Sequence, residues 1–399
     1  MTGRRSDLAM NGGKPVRDTL LPYGRQWIGE EDLHAVADVL RSDWLTTGPA
    51  VGEFEGAFAR ATGSREAVAV SSGTAALHTA MHAIGIGPGV EVIVPAMTFA
   101  ATANCVVYQG GTPVFADVDP ETLLINPDSV RRKVTGRTRA VIAVDYAGQP
   151  CPYDELREIT DRHDLWLVGD ACHALGGEYQ GRPVGSLADL STFSLHPVKH
   201  ITSGEGGVVT TDDPELAARM RSFRNHGLSS DSRQRESEGS WFYEMRDLGY
   251  NYRLTDFQCA LAMSQLAKLG AFVARRREIA RRYDEAFEGL PGIRPLGVKA
   301  GVSHAYHLYV VRVDPGLIGA DRGTMFRALR AEGIGVNVHY IPVHLHPFYR
   351  TRFGTKPGLC PVAERAYGQI LSLPVFPRMT DRDAMDVIAA VGKVARAFA

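Results

Sequence analysis

Ser194-Leu195-His196-Pro197-Val198-Lys199-His200-Ile201-Thr202-Ser203-Gly204-Glu205-Gly206-Gly207 joins one short apolar run, Ser191 to Ser194, to another, Gly207 to Thr210. A lysine in a turn after a strand, followed by glycines that let backbone approach a ligand, suits an amine that forms imines. Such an amine needs a lowered pKa, and burial beside a cationic ring acts in that direction. A solvated surface charge is the plain alternative for any one lysine. The neighbours of Lys199 are apolar, hydroxyl or glycine residues, which favours the enclosed amine.

Upstream, the runs Ala67 to Val70, Glu91 to Val94, Thr112 to Ala116, Ala140 to Val144 and Trp166 to Val168 are each followed by a turn or a helical pattern. Short runs rich in Val and Ile that alternate with helices predict a buried, largely parallel sheet sandwiched by helices. From Arg253 the apolar period turns helical through Leu254, Phe257, Leu261, Leu266, Leu269 and Phe272 and on to Phe287, which predicts one long connecting helix. Strand-like runs at Leu308 to Val313 and Val336 to Tyr340, with helical patterns at Gly323 to Glu332 and Asp381 to Phe398, predict a smaller α+β domain. The division expected is a flexible N-terminal arm over 1–20, a large α/β domain over 21–270, and the connecting helix with the small C-terminal domain over 271–399. The first helix should start near Glu30.

The 399 residues are 44% hydrophobic and 22% charged, with a formal net charge of -1. That is enough chain for two cores, and no polybasic tract points to nucleic acid or an anionic membrane. The five cysteines are scattered and show no metal-site spacing, so reduced thiols in a cytoplasm are expected, with no metal. There is no apolar run of signal-peptide or membrane-spanning length.

Three further stretches carry chemistry. Ser72-Gly73-Thr74-Ala75 lies between a strand and an apolar-periodic helix, a turn whose free N–H groups seat a phosphate; a plain helix cap is the alternative. Asp170 in Val168-Gly169-Asp170-Ala171-Cys172-His173 ends an apolar run at the edge where open α/β sheets collect ligands. Its carboxylate suits a pyridine nitrogen that must stay protonated, as in pyridoxal 5'-phosphate (PLP), although Asp also caps helices. His173, one turn on, is placed to cover such a ring or meet its phenolic oxygen, or simply to pack. Ser194 is within reach of the same phosphate, and Phe99, after the strand Glu91 to Val94, suits stacking on the ring or a place in the core.

In this order the motifs resemble the DegT/DnrJ/StrS family of nucleotide-sugar aminotransferases, a branch of the fold-type I PLP enzymes. The resemblance runs from Tyr23-Gly24-Arg25-Gln26 and Leu45-Thr46-Thr47-Gly48-Pro49 to Gly249-Tyr250-Asn251-Tyr252-Arg253-Leu254-Thr255-Asp256, and so covers nearly the whole chain. It implies a large domain with a mostly parallel seven-stranded sheet and a small α+β domain. It also implies PLP carried as a Schiff base on Lys199, with pyridoxamine 5'-phosphate formed in the second half-reaction, and Asp170 paired with the pyridinium. Gly73, Thr74, Ala75 and Ser194 would hold the phosphate, and Phe99 and His173 would flank the ring. Asn251 would reach the cofactor phosphate of the other subunit in a homodimer with shared active sites.

His196-Pro197-Val198-Lys199 together with the Gly249 to Arg253 stretch resembles the members that aminate carbon 4 of a UDP- or TDP-linked 4-keto-6-deoxy sugar. L-glutamate is the donor that the resemblance implies. His173 stands where many members have Gln. Asn337-Val338-His339-Tyr340-Ile341-Pro342 is the candidate for contacting sugar or nucleotide, with His339 and Tyr340 foremost, against packing as the alternative. Two rivals share the fold: a PLP-dependent sugar dehydratase, in which a histidine replaces the lysine, and a non-catalytic regulatory relative.

Overall fold

The computed structural model describes residues 4–230 and 232–399. The apolar runs form one sheet of seven strands: β1 Glu66–Val70, β2 Glu91–Pro95, β3 Thr112–Ala116, β4 Thr138–Val144, β5 Trp166–Asp170, β6 Leu190–Ser194 and β7 Gly207–Thr211. Their spatial order is β1-β7-β6-β5-β4-β2-β3. Only β7 runs against the others, pairing antiparallel with both β1 and β6. Strands β2 and β7 are buried at every residue, which is why, apart from Glu91 at the start of β2, they read as apolar or Thr runs rather than alternating ones. Six parallel strands bring six carboxyl ends to one edge, and ligands bind at such an edge.

A second apolar core is built from Ile279, Tyr283, Phe287, Tyr309, Val311, Leu329, Val387 and Val391. It lies around a small antiparallel sheet of β8 Ile293–Pro295, β9 Tyr309–Val313 and β10 Ile370–Leu373. The helix Asp381–Phe398 covers it, and the Thr380 hydroxyl and Asp383 carboxylate cap its first turn reciprocally. No single helix among the described residues is long and apolar enough to cross a membrane.

Three local expectations change. The continuous helix after Arg253 is two helices, Asp256–Leu266 and Leu269–Phe287, bent by 56°. The bend falls where Ser264, Gln265 and Lys268 converge on the fully buried Asp32 carboxylate, at 2.6, 2.7 and 2.5 Å. A buried charge demands that many donors, and a straight helix does not aim them at one point. Of the flexible arm expected over 1–20, residues 1–3 lie outside the described residues, and the remainder is tied down: Leu8 is buried, and the N–H groups of Ala9 and Val16 donate to the buried Glu332 carboxylate at 2.9 and 3.0 Å. Val336 to Tyr340 is no strand. It makes a single bridge, Asn337 to Ser372, and then leaves the small sheet for the large domain, where the Val343 N–H donates to the Ala96 carbonyl at 2.9 Å.

Candidate active site

At the carboxyl edge of the sheet lies a cavity of about 510 Å³, lined by Gly73, Thr74, Phe99, Asp170, His173, Ser194, Lys199, His339 and Tyr340 among others. Asp170 ends β5 and is 6% exposed. One carboxylate oxygen accepts the Thr102 hydroxyl at 2.7 Å, and Thr102 is itself bonded to the Thr98 hydroxyl at 2.7 Å. The other oxygen accepts the Cys172 N–H at 3.3 Å. These bonds fix the carboxylate's orientation and use about half of its roughly four acceptor positions, leaving room for one more strong donor.

Lys199 sits on the connection between β6 and β7, where Ser194 pairs with Gly207. The Lys199 N–H donates to the His196 carbonyl at 2.9 Å, so the lysine belongs to a closed turn and not to a free loop. Burial pushes its ammonium below the ordinary lysine range, against the pull of Cys172 and Asp170. The amine is 3.5 Å from His307 Nε2.

The helix Gly73–Ala83 begins over this edge. Ser72 caps it, and its hydroxyl accepts the Ala75 N–H at 3.0 Å. The N–H groups of Gly73 and Thr74 are the ones the first turn leaves over, which makes the terminus an anion seat. A Cβ on Gly73 would lie 2.8 Å from Ser194 Cβ, so only glycine lets the helix end approach the strand that carries the serine hydroxyl. Ala75 is not among the residues that line the cavity, and its N–H is the one that donates to Ser72.

His173 is buried and uncharged: burial and then Lys199 hold its pKa well below 6.5. Its Nε2 meets the Tyr340 hydroxyl at 3.1 Å, and its Nδ1 has no partner among the described residues. Phe99 is 59% exposed at the cavity mouth. Its ring is tilted 54° to that of Tyr340, with centroids 5.9 Å apart.

His339 and Tyr340 line the cavity, but much of their polar capacity is engaged. His339 Nδ1 bonds the Ser372 hydroxyl at 2.8 Å, and its Nε2 lies 3.4 Å from Asn337 Nδ2. Burial lowers the His339 pKa to about 4. Asn251 is exposed and lies outside this cavity.

The sequence reading passed over Thr98 and Thr102, although the stretch holding Phe99 contains both, and it passed over His307. The sign for His307 was available in Ser303-His304-Ala305-Tyr306-His307, two histidines three residues apart without an assigned task. His200, next to Lys199, does not line the cavity; its Nε2–H donates to the Ala305 carbonyl at 3.0 Å.

The donor set fits PLP. A carboxylate with a spare acceptor position, an enclosed amine and a helix terminus beside a serine hydroxyl face one space. Those are the partners for a pyridinium, an aldehyde carbon and a phosphate.

The DegT/DnrJ/EryC1/StrS aminotransferase family matches residues 26–392. The spore coat polysaccharide biosynthesis protein SpsC of Bacillus subtilis is 44% identical over 382 residues, covering 95% of this chain and 98% of SpsC. Among solved structures, the sugar aminotransferase Spr1654 of Streptococcus pneumoniae in its PMP form is 32% identical, with TM-score 0.89 over 94% of this chain and 99% of that one. DesI, solved in the presence of its TDP-sugar product, is 35% identical, with TM-score 0.88 over 98% of this chain and 97% of that one.

Proposed function

The chain belongs to the DegT/DnrJ/EryC1/StrS aminotransferase family, and from that premise we propose that it moves the amino group of L-glutamate to carbon 4 of a UDP- or TDP-linked 4-keto-6-deoxyhexose. The products are the 4-aminosugar nucleotide and 2-oxoglutarate. That it is a PLP-dependent sugar aminotransferase follows from the family and from neighbours solved in PMP and PLP forms. The sugar, the carbon and the donor are the further step. The observation that carries the reading is the convergence of Lys199, Asp170 and the Gly73 helix terminus on one cavity.

PLP, when bound, supplies an electron-withdrawing ring that holds the electron pair left by proton loss at the donor carbon. Asp170 would keep the ring nitrogen protonated. Gly73, Thr74 and Ser194 would hold the phosphate, while Phe99 and His173 would bound the ring. With the cofactor bound, the Lys199 amine would accept the donor-carbon proton on Nζ and hand it on within the site, which is general acid/base catalysis by a group held within reach. In the second half-reaction Lys199 would move a proton in the opposite sense, with the keto sugar in the place of the amino acid.

DesI with its TDP-sugar product supports a nucleotide-linked substrate, and the resemblance of the Lys199 and Asn251 stretches to carbon-4 enzymes supports the position. The exposure of Asn251 and of the neighbouring apolar residues Trp241, Phe242, Met245 and Leu248 supports a homodimer in which Asn251 serves the opposite cavity. The scattered free cysteines suit a cytoplasmic enzyme. The place of His200 disfavours the dehydratase, since its ring nitrogen is bonded away from the cavity.

The test runs the reaction backwards, with a panel of UDP- and TDP-linked 4-aminosugars and 3-aminosugars and 2-oxoglutarate. Glutamate should form with at least one 4-aminosugar and with no 3-aminosugar. Glutamate from 3-aminosugars alone would remove the carbon-4 assignment. Loss of water from the keto sugar without any need for glutamate would replace the aminotransferase with the dehydratase.

A further inference from the structure

His307 comes from the small domain's side of the chain, four residues after the short strand Val302–Ser303, yet its ring lines the cofactor cavity. The segment that carries it is laid along the large domain. The Ala305 N–H donates to the Gly148 carbonyl at 2.8 Å, and the Leu308 N–H to the Ala147 carbonyl at 3.1 Å. Between them Tyr306 is held at φ 47°, a left-handed conformation that a side chain bulkier than Asn rarely adopts.

The buried Arg276 holds this turn from behind. Its guanidinium donates to the Tyr306, His307 and Val375 carbonyls at 3.2, 3.3 and 2.7 Å, and the side chain is 1% exposed. His200 adds the bond to the Ala305 carbonyl. A strained residue and a buried guanidinium spent on three carbonyls are costly ways to place one turn. They persist where the position of a side chain matters. Among the described residues, the reactive group that this placement serves is the amine of Lys199, 3.5 Å from His307 Nε2.

We propose that His307, as a neutral imidazole, is the hydrogen-bond partner that orients the Lys199 amine toward the carbonyl it attacks. Whatever its charge, the lysine has an N–H to donate, which makes Nε2 the acceptor. Burial first, then the neighbouring Lys199 and, more weakly, His173, His200 and Arg276, oppose a positive charge on the ring. His307 is therefore a positioning residue that acts through Lys199. The inference rests on the reading of Lys199 as the imine-forming lysine.

The experiment follows covalent capture of PLP by full-length apoprotein, quenched with borohydride at short times and located by peptide mass. His307→Phe should slow attachment at Lys199 by about tenfold, the effect of losing one hydrogen bond of ordinary net strength. His307→Gln keeps an acceptor and should stay within about threefold of the parent by the same reasoning.

Equal slowing of both variants, or slowing of neither, overturns the proposal. Should His307→Phe fail to fold, 15N-histidine spectra of the parent and of Lys199→Met carry the test. The His307 ring nitrogen must shift when the amine is removed, and an unmoved resonance overturns the proposal. A parent protein that captures PLP on another lysine, or not at all, sinks the functional reading; normal capture at Lys199 that ignores His307 sinks only this inference.

Discussion

Replacing Gly73 with alanine separates the phosphate seat from everything else in the site. The new Cβ would stand 2.8 Å from Ser194 Cβ, 3.2 Å from its Oγ and 3.4 Å from its Cα. Carbon atoms pack best at about 3.5–4.0 Å, so the overlap is roughly 0.7 Å. Ser194 has little room to retreat, because β6 is paired with β7 through the Ser194 to Gly207 register. The helix terminus must give instead.

In a helix interior alanine is favoured over glycine by about 1 kcal/mol, while overpacking costs about 1–3 kcal/mol, so global stability should fall by no more than about 2 kcal/mol. The N–H groups of Gly73 and Thr74, however, would be carried out of line with the phosphate. Losing one charge-assisted hydrogen bond of about 1.5–3 kcal/mol weakens binding on the order of 10- to 100-fold. The assay titrates apoprotein with PLP and, separately, with pyridoxal, which lacks the phosphate. PLP affinity should drop by that factor and pyridoxal affinity should hold. An equal loss for both ligands, or none for either, refutes the assignment of the phosphate to this helix.

Asp170→Asn should still bind PLP, since the Thr102 hydroxyl can donate to the amide oxygen. Its turnover should fall about 10²–10³-fold, the size expected when one preorganised electrostatic partner is lost; steady-state kinetics with unchanged PLP affinity check this. Asp32→Ala removes the acceptor shared by Ser264, Gln265 and Lys268 and should cost about 3 kcal/mol in urea unfolding, the low end for a broken buried pair. Lys268 retains Glu31 at 2.6 Å. A cost under about 1 kcal/mol would show that the bend is not held by that carboxylate. His339 binds a proton near 6.5 when unfolded and only near 4 when folded, so between those values the unfolded chain holds more protons. Its contribution is full above pH 6.5 and is lost as pH falls toward 4, by about 3 kcal/mol. Urea midpoints across that window should fall with acidity, and His339→Gln should flatten the slope.

The strands were legible because burial on both faces leaves a bare signature. Glu91–Pro95 and Gly207–Thr211 have hardly a polar position to confuse it. Lys199, Asp170 and Gly73 were legible for a related reason: each lies next to a strand end, and parallel strands bring those ends together without long-range information. What escaped depends on distant partners. Nothing near Ala267 or Lys268 announces a bend whose cause is Asp32, more than two hundred residues away in the chain. The N-terminal arm looked loose because its ordering partner, Glu332, belongs to the other core. His307 reaches the amine only because Arg276 and the Ala147-Gly148 carbonyls hold its turn against the large domain, and no local period records that.

The account stands or falls on which side chain becomes covalently joined to the cofactor. Protein incubated with PLP, reduced with borohydride and digested should carry the pyridoxyl group on Lys199, and glutamate added before reduction should remove it. A modification spread over surface lysines, or one on Lys199 that glutamate leaves untouched, contradicts the assignment of this cavity as the transamination site.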